Sequence, residues 1–144
     1  RLADDTFRYM PDLVAASTAE SRSEAAGRGP LCAFILHRGG KADEALLRRT
    51  LDAFVAHHAE FRRAFHKSLC HTEPDGFGSH YLFYDYYFAA AATRALPVND
   101  RSPYRDAILE DVLRARAADG SFLDMPGLGR PYATAMALMI LRMM

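Results

Sequence analysis

Six of the nine glycines fall in three G-x-G triplets, Gly27-Arg28-Gly29, Gly76-Phe77-Gly78 and Gly127-Leu128-Gly129. They recur at intervals of about fifty residues, a period that belongs to repeats of paired helices. Each stands directly before an apolar segment: "PLCAFIL", "SHYLFYDYYFAAAA" and "RPYATAMALMIL". These segments are apolar on nearly every face, as expected of a helix surrounded by other elements. Alanine and methionine dominate the last, and Ala89 to Ala92 favour helix over strand. The spacing predicts that the triplets are turns into buried helices. Pro30 and Pro131 then stand at first-turn positions, where a missing N–H costs nothing.

Amphipathic stretches separate the buried ones. In "KADEALLRRTLDAFVAHHAEFRRAF", Leu47, Leu51, Phe54, Val55, His58, Phe61 and Phe65 recur at helical spacing. Asp43, Glu44, Arg48, Arg49, Asp52 and Arg62 fill the opposite face. "SPYRDAILEDVLRARAADG" repeats the pattern through Tyr104, Ile108, Val112 and Ala115, with Ser102 as N-cap, Pro103 at N1 and Gly120 just past the end. The order is buried, amphipathic, buried, amphipathic, buried. That predicts an all-α fold of helical hairpins in inner and outer layers, a solenoid or a closed ring. Residues 25–144 form the repeat region. Residues 1–24 are an N-terminal segment, with a short helix at "DLVAAST" and a polar loop after it. The chain opens on Arg1 and stops inside the apolar "ALMILRMM". Both ends read as cut, so the chain is expected to be part of a larger ring.

Composition removes some function classes. Lys+Arg and Asp+Glu balance at 18 each, which leaves no net field to draw nucleic acid or an anionic membrane. No apolar run reaches the length of a membrane span, because Asp85 and Arg94 interrupt one run and Arg142 ends another. The two cysteines, Cys32 and Cys70, make no disulfide scaffold and do not fix the compartment; Cys32 reads as a small buried thiol. "GLGRP" at residues 127–131 has the glycines of a phosphate loop. It has neither a preceding strand nor the third glycine or lysine that such a loop requires.

"ARAADGSFLDMPGLGRPYATAMALMILR" resembles the prenyltransferase and squalene-oxidase repeat of terpenoid cyclases and protein prenyltransferases. Asp119-Gly120-Ser121-Phe122 matches the D-G-S-W turn that follows an outer helix in that family. Gly129, Tyr132, Thr134 and Ala135 match the entry of the next inner helix. Residues 25 to 96 look like two more diverged units. The resemblance implies an α/α toroid whose inner helices line an aromatic cavity for an isoprenoid or another hydrophobic small molecule. The remainder of the toroid would lie in the same or a neighbouring chain. Arg116 and Phe122 stand where the family has glutamine and tryptophan. A cation–π contact between them would replace the amide–indole one.

The family's chemical motifs are incomplete. Asp4-Asp5-Thr6 matches the end of the cyclase D-x-D-D acid, but Leu2 stands at its first aspartate. The prenyltransferase Asp-x-Cys zinc pair is absent. His37, His57, His58, His66, His71 and His80 do not form the convergent ligand set that zinc needs. No metal and no cofactor are expected, and the catalytic residues are unknown. A carbohydrate-active α/α barrel would have only Glu73, Asp75 and Asp124 as loop acids, at a spacing that argues nothing.

The candidate ligand contacts are His80, Tyr84 and Tyr87 on one stripe of the second inner helix, and Tyr81, Asp85 and Phe88 on the next. Asp85 in an apolar helix is costly unless paired or wet; His80 or a tyrosine hydroxyl is the expected partner. Arg130 and Tyr132 begin the last helix, where free N–H groups favour an anion. That anion is either a diphosphate or a neighbouring carboxylate such as Asp124. Two readings follow: an isoprenoid-binding, cyclase-like protein, or a non-catalytic binding or scaffold module of the same fold.

Overall fold

The computed structural model describes residues 7, 22–59, 82–124 and 126–144. Among these the chain is all-helical: α1 (Arg22–Arg38), α2 (Glu44–Ala56), α3 (Leu82–Ala95), α4 (Ser102–Arg114) and α5 (Gly129–Met143), with 3-10 turns at Val98–Asp100 and Pro126–Leu128. No helix among the described residues is long and apolar enough to cross a membrane.

Helix α3 is the hub. It packs against α1, α2, α4 and α5. Its sequence makes this possible, because Ala89, Ala90 and Ala92 carry almost no side chain and are fully buried, letting neighbouring helices approach closely. Helix α2 lies against α1 across a short turn and also touches α3 and α4. Of the predicted stripes, Leu47, Leu51 and Phe54 on α2 and Ile108 and Val112 on α4 are buried, whereas Val55, His58, Tyr104 and Ala115 are partly buried. Phe61 and Phe65 lie outside the described residues. Asp43 caps α2 by accepting from the Leu46 N–H at 3.0 Å. Ser102 does not cap α4; its hydroxyl turns to Asp106 at 3.2 Å. A polar seam joins α2 to α4 and to the 3-10 turn before it, with Arg48 on Asp100 at 2.7 Å and the Tyr104 hydroxyl on Asp52 at 2.7 Å.

Two expectations require correction. The first triplet is no turn: Gly27, Gly29 and Pro30 lie inside α1, and residues 24 and 25 belong to the same helix. Gly29 serves close packing instead, since a Cβ there would stand 3.3 Å from the Thr50 Cβ of α2. The second triplet lies outside the described residues. The third does behave as a turn, with Gly129 at φ +74° opening α5 and Pro131 in its first turn.

The second correction concerns α5. It is not surrounded. Ala133, Ala137 and Ile140 are buried, whereas Leu138 is 57% and Met139 44% exposed. An apolar composition identifies the faces that avoid water, but not whether another helix covers each of them.

Candidate functional site

The sequence around α3 builds the site. Leu82, Phe83, Tyr86, Ala89, Ala90 and Thr93 recur at helical spacing and form its buried side. Tyr84, Tyr87, Phe88 and Ala91 fall on the other side, where they are exposed or partly buried. There the rings touch edge to face: Tyr84–Phe88 at 4.9 Å and Tyr87–Phe88 at 5.2 Å between centroids. Of the helices that pack against α3, α1 carries exposed Ile35 (58%), α4 exposed Leu113, and α5 exposed Leu138 and Met139.

The first turn of α3 is held from a distance. Both oxygens of Asp124 accept from α3, Oδ1 from the Leu82 N–H at 3.0 Å and Oδ2 from the Phe83 N–H at 3.1 Å. The carboxylate is 2% exposed. It satisfies two donors that a helix start leaves without partners, and its charge suits the helix dipole. Phe122, two residues earlier, packs on Phe83 at 6.0 Å. Its N–H donates to Thr134 Oγ1 of α5 at 3.0 Å. The segment after α4 therefore binds α3 and α5 together.

Asp85 lies one turn into α3. Burial pushes its carboxyl from 3.8 up to about 7; the charge of Asp124 adds to the rise and Arg28 of α1 opposes it. The expected His80 lies outside the described residues, as does Tyr81. On α3 the Tyr86 hydroxyl donates to Asp111 Oδ2 of α4 at 2.6 Å, buried, with Phe54 edge-on at 4.9 Å. Neither Tyr86 nor Asp111 is among the residues expected from the sequence. The signal was there: Tyr86 shares the helical stripe of Leu82, Phe83, Ala89 and Ala90, and Asp111 precedes Val112 on the inner side of α4.

Arg130 and Tyr132 stand apart from this cluster. Arg130 pairs with Asp119 at 3.6 Å and donates to the Ser121 hydroxyl. Its carboxylate is therefore Asp119, and Asp124 is engaged at α3. Tyr132 is partly buried in the first turn of α5. Arg116 does not stack on Phe122: its guanidinium lies beside Gly120, 3.4 Å from where a Cβ would stand, and the Phe122 ring turns inward. Cys32 is a partly buried free thiol, and burial raises its pKa. Among the described residues no group of three or more His, Cys, Asp or Glu side chains could hold a metal ion.

Comparison with protein-family models, curated proteins and solved structures finds no match for the chain.

Proposed function

We propose that this chain is a prenyltransferase- and squalene cyclase-like helical repeat module that binds an isoprenoid or a similar hydrophobic molecule, and that it does so without catalysis. In this reading α1, α3 and α5 are inner helices of an α/α toroid, and α2 and α4 are outer ones. The rest of the ring would come from the same or a neighbouring chain. The observation that carries the reading is the exposed apolar residue on each of three helices, Ile35 on α1, Tyr84 on α3 and Leu138 with Met139 on α5, with the partly buried rings of Tyr87 and Phe88 beside Tyr84. Exposed apolar residues on helices that pack side by side offer surface that a hydrophobic molecule would cover. Aromatic rings give large contact area at low entropic cost.

The absence of catalysis rests on how the acids are used. Asp124 caps α3 with both oxygens, and Asp119 holds a turn. Among the described residues, Asp85 is the acid that combines an apolar setting with a raised pKa, and no complete family acid motif accompanies it.

The chain has no tryptophan, so its tyrosines dominate the intrinsic fluorescence. Titration with farnesol and with squalene should quench or shift that emission, and native mass spectrometry should detect the bound lipid. Tyr84→Ala with Phe88→Ala should abolish both signals with the helical circular dichroism intact. Wild-type protein that binds neither lipid defeats the proposal. Turnover of a prenyl diphosphate or of squalene would replace it with the enzymatic reading.

A further inference from the structure

The turn between α4 and α5 contains a bond with its own chemistry. The sequence has two Asp-Gly bonds, Asp75–Gly76 and Asp119–Gly120, and the first lies outside the described residues. At Asp-Gly the following nitrogen carries no shielding side chain. The Gly120 amide nitrogen can attack Cγ of Asp119, closing a five-membered succinimide. The amide proton and the carboxyl hydroxyl leave as water. Water then adds back across either imide carbonyl and returns aspartate or isoaspartate, in which the main chain runs through the side-chain carbon. The reaction needs no co-reactant beyond water, and it needs a protonated carboxyl free to reach the glycine nitrogen.

The fold withholds each requirement. Asp119 Oδ1 accepts from the Ser121 N–H at 3.0 Å and from the Ser121 hydroxyl at 2.6 Å, which directs the carboxylate past Gly120. Arg130 stands 3.6 Å from the same oxygen and also bonds the Ser121 hydroxyl. The Gly120 N–H is itself engaged, donating to the Ala117 carbonyl at 2.9 Å. Gly120 is fixed at φ +84°, a conformation that favours glycine, so the vulnerable residue is also the one the turn requires.

We propose that Ser121 and Arg130 form a clasp that keeps the Asp119–Gly120 bond from isomerising, and that this bond converts to isoaspartate when the clasp is lost. The Ser121 hydrogen bonds also hold the Asp119 carboxyl below the usual carboxylate range, which keeps it in its unreactive ionised form. The stake is the attachment of α5. An extra main-chain carbon would displace the Ser121 carbonyl from the Ala117 N–H, now 2.8 Å apart, and the Phe122 N–H from Thr134.

The test is incubation in water labelled with heavy oxygen, followed by peptide mapping. Each passage through the ring leaves label at Asp119, and fragmentation distinguishes isoaspartate from aspartate. Folded wild-type chain should take up label at Asp119 roughly tenfold more slowly than the same chain unfolded in urea, because only the open fraction reacts. Ser121→Ala and Arg130→Gln should each move the folded rate toward the unfolded one. Equal rates in folded and unfolded wild type overturn the proposal, as do variants that retain helical circular dichroism and still react as slowly as wild type. If either variant unfolds, the wild-type pair still decides.

Discussion

Three residues carry consequences that can be measured singly. Asp85 titrates near 7 in the fold against an ordinary 3.8, with burial as the main cause. A carboxyl raised in this way stabilises the fold fully below its unfolded pKa, and that stability is lost as pH rises through 7. The loss is at most about 4 kcal/mol. Urea denaturation of wild type should show stability falling between about pH 4 and pH 7, and Asp85→Asn should flatten that slope; an unchanged slope would mean that Asp85 ionises freely. Asp124→Asn should lower the Asp85 pKa by removing a neighbouring charge. It leaves burial, the larger cause, in place, so a resonance titration should show only partial return to 3.8. Tyr86→Phe deletes a buried hydrogen bond to a carboxylate. It should cost about 2 kcal/mol, read from the urea midpoint; a neutral result would mean that other groups satisfy Asp111 alone. Asp85 was legible as a costly residue in an apolar run. Its neighbour Asp124 was not, because the two are brought together by a contact some forty positions apart in the chain.

At the level of elements, helical periodicity was a reliable guide, whereas glycine spacing found the turn at Gly129 and misplaced one at Gly27 and Gly29. The stripes Leu47–Leu51–Phe54 and Ile108–Val112 are where their spacing puts them, because a buried face at 3.6-residue period is a local consequence of sequence. The first and third G-x-G triplets looked alike but do different work. At Gly129 the backbone needs a positive φ, whereas Gly29 sits inside a regular helix and is needed for contact with α2. A glycine reports that something must be absent at its Cβ, and sequence alone does not say whether that is strain or a neighbour. The contact yields a prediction against simple propensity. Gly29→Ala should gain about 1 kcal/mol as helix. It also drives a methyl to 3.3 Å from the Thr50 Cβ, which is fixed to the backbone of α2 and cannot rotate away. Overpacking of this kind costs about 1–3 kcal/mol, so the variant should be less stable by about 1 kcal/mol in urea denaturation. A more stable variant would show that α1 and α2 separate freely.

For the whole molecule, the alternation of apolar and amphipathic stretches was enough to read the described residues as all-helical, and α3 at their centre follows from its run of alanines. What the pattern left open was the far side of the row. A helix apolar all round is expected to be enclosed, yet α5 turns Leu138 and Met139 outward while Ala133, Ala137 and Ile140 face α3. The same hydrophobicity serves packing on one side and is available to a ligand on the other, and these two uses respond differently to charge. Leu138→Glu with Met139→Gln changes only exposed side chains, so the unfolding free energy should move by no more than about 0.5 kcal/mol. Ala137→Glu, one residue away but fully buried, should cost about 3 kcal/mol or more, because it forces an unpaired carboxylate into the contact with α3. If the outward face receives a hydrophobic molecule, the Leu138/Met139 variant should lose farnesol-induced change in tyrosine emission while melting like wild type. A variant that keeps the lipid response places binding elsewhere on the chain, and one that unfolds as Ala137→Glu does makes that face part of the core.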